Sequence, residues 1–355
     1  MPRPLITAII PAYNVADTIG RAIASVLAQT YHNIEVVLVN DGSTDDTARI
    51  VQESYPEVVY IEQENSGPSV ARNRAAEAAS GEFLACLDAD DAWVPEKTER
   101  QLQVMLDDPG VSAVATSGWV LRDGHRYPWG NPRKPRVRDI TVRDLLQGLL
   151  PICPSLMIRA DAFGALGGYD PVGAENLDLF CRLLAMGQRF VYLNEMLYLY
   201  HSQPGSRSSA SFADHTEETL HVLAKFDPRR ADLPWTSPLS EAEYSWFVGN
   251  RLVQGAMVSI RQGRRAKASN YLARLDELPA PAPLHRLEHW LWRHAWPLFI
   301  MVAAVHRGYL RGRRAYRIWG IMGGLEQLWR KYLRPTSVAS TTEEGHALPG
   351  AEDSR

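Results

Sequence analysis

CLDADDAW, residues 86–93, is the stretch on which the reading of the fold turns. It leaves an apolar segment, meets Asp88, Asp90 and Asp91, and ends on a tryptophan. With EFLA before it, the segment predicts a short buried strand over 82–88 whose carboxyl end carries three carboxylates. Upstream the same pattern repeats. LITAII (5–10), IEVVLV (34–39) and VVYIEQ (58–63) read as strands. Between them lie three helical patterns. One sets Ile19, Ile23, Val26 and Leu27 on a single face behind the cap candidate Asp17. The second, STDDTARIVQESY, has acids in its first turn, where the helix dipole favours them, and the third, SVARNRAAEAAS, is stopped by Gly81. Strands alternating with helices at this spacing imply right-handed crossovers, hence an α/β fold with a Rossmann-like, mostly parallel sheet covered by helices on both faces. Ligands of such sheets bind at the carboxyl ends of the strands. Those ends read PAYN (11–14), NDGSTDD (40–46), QENSG (63–67) and DADD (88–91), so four polar tips meet on one rim.

The rest of the chain fits around this rim. A helix is expected over 96–106, a strand over 111–121, a loop or hairpin rich in Arg, Pro and Gly over 122–138, and a helix from Ile140. A helix over about 177–186 and the apolar strand FVYLNEMLYLY (190–200) close a first domain, 1–209. A helical extension, 210–334, follows, and 335–355 offers too little apolar surface to offset the entropy of ordering.

Composition narrows the class. Of 355 residues 45% are hydrophobic and 22% charged, as in ordinary globular chains, and a net charge of −3 argues against a nucleic-acid partner. The three cysteines form no CxxC pair, so a reducing, cytoplasmic setting is expected rather than a disulfide frame or zinc site. The amino-terminal apolar run is read as a strand and not as a secretion signal. No segment reaches the roughly 18–20 apolar residues of a membrane span. Between Arg286 and Arg334, however, ten Arg or Lys stand against two Glu, with five of the ten tryptophans. Over 290–317 that composition suits either a helix lying on an anionic membrane face or a helical subdomain with buried indoles.

An isolated DADD could simply cap the next helix. At a sheet's carboxyl edge, though, alternate carboxylates can also hold a hard cation, Mg²⁺ or Mn²⁺, that neutralises a departing diphosphate. Asp41 could then receive a base edge, Tyr13 pack on base or ribose, and Arg72 reach a phosphate.

Together IIPAYN (9–14), VLVNDGSTDDT (37–47), NSGPSVARN (65–73), LDADD (87–91) and LGGYD (166–170) resemble the inverting family-2 glycosyltransferases with a GT-A fold, over roughly residues 5–210. The resemblance implies transfer of a sugar from a nucleotide-sugar, UDP by default, to a glycan or lipid-linked acceptor hydroxyl. It implies a nucleotide site on Pro11, Ala12, Tyr13, Asn14, Asp41, Asn65, Gly67, Arg72, Asp88 and Ala89. It also makes Asp90, with Asp88, the metal ligand, and leaves Asp91 as a cap or orienting partner.

Two positions depart from the family pattern. The family's base is the Asp of an acidic pair in EDxDLxxRL; here ENLDLFCRL (175–183) puts Asn176 at that place. An amide cannot take the acceptor's proton at neutral pH. Three readings stand open: Glu175 or Asp178 is the base, the acceptor activates itself, or the chain binds nucleotide-sugar as a scaffold with little turnover. Of these, Glu175 is the chosen base. Downstream, YHSQPGS (200–206) has Gln203 where the family often carries a histidine, with His201 as the substitute metal ligand. Arg133, Lys134 and Arg136 are candidate contacts for an acidic acceptor. QLWRK (327–331) is not the QxxRW of processive synthases, so a single addition is expected.

Overall fold

The computed structural model describes residues 3–129, 136–147, 151–171, 173–202, 215–232, 234–235 and 237–279. All belong to the first of two compact units, 1–299. The expectations for Arg133, Lys134, Gln203, the 290–317 surface helix and the 335–355 tail lie outside the described residues.

Four parallel strands open the sheet: β1 (Ile6–Ala12), β2 (Ile34–Asp41), β3 (Val59–Gln63) and β4 (Phe83–Cys86), in spatial order β3-β2-β1-β4. Ile6, Ala8, Ile9 and Ile10 of β1 are fully buried, as a central parallel strand covered on both faces requires. Helices α1 (Ile19–Leu27), α2 (Thr47–Ser54) and α3 (Pro68–Glu77) make the crossovers. Two details differ from expectation. The N-cap position of the first helix is Thr18 rather than Asp17, and the helix buries Ile19, Ala22, Ile23 and Val26. Leu27 faces outward. Gly81 lies beyond the end of α3, and its role is contact: a Cβ there would meet Thr7 Oγ1 at 2.6 Å and Thr7 N at 2.7 Å. Only hydrogen lets the chain re-enter the sheet that close to β1.

Past the aspartates the sheet becomes mixed. Strand β5 (Ala92–Trp93) and helix α4 (Lys97–Asp107) lead to β6 (Val111–Arg122), which turns into β7 (His125–Trp129) at Asp123 and Gly124, within the stretch 122–138 expected as a loop or hairpin. Then come β8 (Val137–Asp139), α5 (Val142–Leu146), β9 (Met157–Arg159), α6 (Ala160–Ala165), α7 (Glu175–Ala185) and β10 (Arg189–His201). The main path runs β3-β2-β1-β4-β9-β6-β10-β5, with β9 antiparallel to both β4 and β6, and β10 parallel to β6. Three helices follow: α8 (Thr216–Ala224), α9 (Glu241–Arg261) and α10 (Arg265–Ala273). Ser240 and Glu243 form a reciprocal capping box at the start of α9.

Beneath the rim Lys97 is fully buried. Its Nζ donates to Gln101 Oε1 (2.7 Å) and sits 4.2 Å from the Trp93 ring centroid. Gln101 Nε2 in turn donates to the carbonyls of Val114 and Ser155, tying α4 to the sheet. Burial pushes the ammonium from the ordinary lysine value of 10.5 down to about 7. The unfolded chain holds that proton more tightly, so Lys97 costs stability most at and below pH 7, and the cost fades as pH rises toward 10.5. Relative to Lys97→Met, the wild type should therefore gain on the order of 3 kcal/mol between pH 7 and 9.5 in urea denaturation. Parallel stability profiles for the two proteins would show that the ammonium is not penalised.

Candidate active site

The carboxyl ends of β1, β2 and β4 do converge, and their loops are laced together. Asn14, at φ 51°, accepts the Thr44 N–H on Oδ1 (2.7 Å) while its own N–H donates to Ser43 Oγ (2.9 Å). Val15 N–H donates to Thr47 Oγ1, and Ala16 N–H to Asp45 Oδ2. Asp45 Oδ1 accepts from the Thr47 N–H and hydroxyl. Burial alone would raise the Asp45 carboxyl, but these bonds outweigh it and hold it below its ordinary value. The PAYN loop thus rests on Ser43, Thr44, Asp45 and Thr47, a lock invisible to a reading that assigned the second loop's acids to a helix dipole. Tyr13 stands out from this loop, half exposed, free to meet a ring.

Asp41 is almost fully buried, and its oxygens organise the QENSG loop. Oδ1 accepts from Gln63 Nε2 (2.7 Å) and the Ser66 N–H (2.8 Å), and Oδ2 accepts from the Gly67 N–H (2.9 Å). Gly67 stands at φ 88°, which a side chain would resist. Its residue therefore shapes the pocket wall first; a base edge would share Oδ2.

Arg72 occupies the centre. Its side chain is 5% exposed, Nη2 donates to Asp88 Oδ1 (2.7 Å), Nη1 donates to Glu175 Oε1 (3.2 Å), and the guanidinium lies 5.3 Å from the Tyr169 ring centroid. Burial would depress its proton affinity; the surrounding negative charge, Asp88 and Glu175 included, outweighs that and raises it well above the ordinary arginine value. Asn73, the next residue, fixes the LGGYD loop by donating to the Tyr169 carbonyl and accepting its N–H, each at 2.8 Å. Gly168, at φ 74°, leaves room for that amide, since a Cβ would meet Asn73 Oδ1 at 2.5 Å.

The three aspartates divide by environment. Asp88 faces Arg72. Asp90 is pushed above the carboxylate range by burial first and by Asp88 second, and Arg21 donates to its backbone carbonyl (2.6 Å). Asp91 is fully buried, and burial followed by the charges of Asp88 and Asp90 pushes it well above that range. Its Oδ1 accepts the His201 N–H (2.9 Å), so it orients the end of β10 rather than capping α4. Asp91 Oδ2 and His201 Nδ1 are both buried without a hydrogen-bond partner.

Whether this set suits a divalent cation can be judged from its donors. Crowded carboxylates with raised proton affinity, beside an orphaned imidazole nitrogen, are groups that a cation would relieve. Among the described residues, no three His, Cys, Asp or Glu side chains form a complete cage. The set therefore fits an ion held by one or two protein ligands and completed by phosphate oxygens, the Mg²⁺ or Mn²⁺ pattern.

At the start of α7, Glu175 keeps Oε1 on Arg72, and Asn176 Oδ1 is buried without a partner. Asp178 is different. It is fully buried, with Oδ2 on Arg182 (2.6 Å) and Oδ1 on Lys225 (2.7 Å), and Lys225 also pairs with Asp170. Arg182 donates onward to the Leu166 and Gly168 carbonyls. Asp178 is thus closed off from an acceptor and serves as the hub that clamps α7, LGGYD and α8 together. That is a correction to its candidacy as a base: no hydroxyl can reach a carboxylate with no solvent face and two cations on it. Arg136, a candidate acceptor contact, is instead paired with Glu195 (2.6 Å).

A profile of Glycosyl transferase family 2 matches residues 7–166. A Bacillus subtilis (strain 168) protein, named as the teichuronic acid biosynthesis glycosyltransferase TuaG, is 34% identical over 218 residues, 58% of this chain and 82% of TuaG. The chain belongs to glycosyltransferase family 2. A longer family member from Rickettsia felis is 31% identical over 235 residues, 63% of this chain but 38% of its own length. Staphylococcus aureus TarS 1–349, solved in complex with UDP-GlcNAc, superposes with a TM-score of 0.60 over 88% of this chain and 93% of that one. At 19% identity that likeness is one of fold, and the fold is the GT-A type of this family.

Asp178→Asn should cost about 3 kcal/mol in urea denaturation, because it takes the carboxylate from buried Arg182 and leaves Lys225 with Asp170 alone. Nucleotide binding by the remaining folded fraction should persist. Wild-type stability in this variant would remove the hub from the account.

Proposed function

We propose that this family-2 glycosyltransferase moves a sugar from a nucleoside diphosphate sugar to a glycan hydroxyl, with inversion and with a divalent cation. The observation that carries the reading is Arg72, which bridges Asp88 on the donor side and Glu175 at the mouth of α7. Donor, metal and base candidates thereby share one buried cation. Tyr13 and Asp41 would flank the nucleoside. Asp90, with one of Asp88 and His201, would hold the cation, which would neutralise charge on the departing diphosphate.

Inversion is one in-line displacement. The acceptor oxygen forms its bond to the anomeric carbon as the bond to the diphosphate breaks, the electron pair leaves with the diphosphate, and the hydroxyl proton passes to a base. Glu175 is that base in this reading: Oε1 is anchored by Arg72, and Oε2 has no partner among the described residues. The name of TuaG, which refers to teichuronic acid biosynthesis, supports a polysaccharide as the product class. UDP is the nucleotide of choice because the fold relative TarS is solved with UDP-GlcNAc.

Titration with UDP-, GDP- and dTDP-sugars, with and without Mn²⁺, tests the donor half. Glu175→Gln should retain nucleotide binding while turnover falls roughly a hundredfold or more. A competing reading, binding with little turnover, draws on Asn176. It predicts no nucleotide release from the wild type and release from Asn176→Asp with the same acceptors. An Asn176→Asp protein as slow as a slow wild type would count against both assignments of α7.

A further inference from the structure

The expected hairpin carries more than a turn. Beyond its pairing with β9 at Ala113 and Val114, β6 continues as the middle of a ribbon, between β7 on one side and β10 on the other. Register puts Trp129, Gly118 and Tyr198 in one row and Tyr127, Val120 and Tyr200 in the next. Paired residues share a face, so one face of the ribbon holds four aromatic rings.

They form a gradient from core to water. Tyr198 is buried, lying over Gly118 so closely that a Cβ there would meet three ring carbons at 2.5 Å. Tyr200 is half-buried and meets Trp129 edge to face at 5.8 Å between centroids. Trp129 is 39% exposed and Tyr127 49%. At the tip Arg122 and Arg126 flank Asp123 and Gly124 and have no carboxylate partner among the described residues. Arg126 instead lies 5.4 Å from the Trp119 ring on the reverse face.

The ribbon meets the candidate site through its backbone. The last residue of β10, His201, gives its N–H to Asp91. From that level to the Trp129 row is three residues along the strand, about 10 Å. Rings there would meet sugars behind the reacting one.

We propose that the β7-β6-β10 ribbon binds the acceptor as a saccharide chain bearing acidic groups, sugar rings against Tyr127, Trp129 and Tyr200, carboxylates or phosphates against Arg122 on the same face. Flat apolar rings with polar edges suit the faces of pyranoses, and the guanidinium of Arg122, without a carboxylate partner among the described residues, suits planar or tetrahedral oxyanions. The word acceptor rests on the transferase reading; the binding surface does not.

The test titrates the full chain with hexagalacturonate, poly(glycerol phosphate), neutral maltohexaose and phosphatidylglycerol vesicles, and separately with UDP. The wild type should bind one of the two acidic saccharides at least tenfold more tightly than maltohexaose, increasingly so at low salt. Tyr127→Ala with Trp129→Ala should weaken that binding about tenfold, and Arg122→Gln should erase the preference for acid. UDP binding in each variant certifies its fold. Failure to bind either acidic saccharide, equal binding of maltohexaose, unchanged affinity in the variants, or ribbon-dependent binding to vesicles alone would overturn the proposal. If UDP binds while saccharides are ignored, this inference falls and the donor reading stands; if the wild type ignores UDP, the reverse assignment applies.

Discussion

One buried guanidinium organises the rim. Arg72 is nearly out of water, and a cation so placed is tolerable only while its carboxylates stay close. That requirement pins Asp88, at the end of β4, to Glu175, at the start of α7, although 87 positions separate them in the chain. Asn73 adds the neutral half of the same joint by closing on Tyr169 from both sides. Two adjacent residues of one short helix therefore set the distance between the two halves of the domain.

Environment then divides residues that are alike in type. Asp88 keeps an ion pair, Asp90 is crowded by burial and its neighbour, and Asp91 turns inward to hold a backbone amide. The same division separates Glu175 from Asp178 across a single helical turn. One remains at a mouth with a free oxygen, and the other disappears under Arg182 and Lys225.

The parallel half of the sheet was legible because its strands are continuous apolar runs ending in polar tips, a pattern that burial on both faces dictates. The turn at Asp123 and Gly124 falls within the stretch 122–138 that its Arg, Pro and Gly content marked as a loop or hairpin. β9 was not legible: three residues, Met157–Arg159, carry no period, and only pairing to β4 and β6 makes them a strand. Site residues followed the same division. The tips could be placed on one rim, whereas the Arg72 bridge and the engagement of Asp41 by QENSG depend on contacts that no local spacing encodes. Sequence favoured Glu175 over Asp178 as base but could not show Asp178 closed off, since burial is a property of what packs on the helix, here α8.

Lys225 also bears on how such a chain could be recombined. It lies on α8, after the expected boundary near 209, yet it supplies half of the positive charge on Asp178. An exchange of carboxyl-terminal segments between related enzymes at that boundary would leave α7 with an underpaid buried charge unless the incoming piece carried a cation at the same place. The first helix of the extension is thus inherited with the catalytic layers, and modular variation in this architecture has its natural seam after α8.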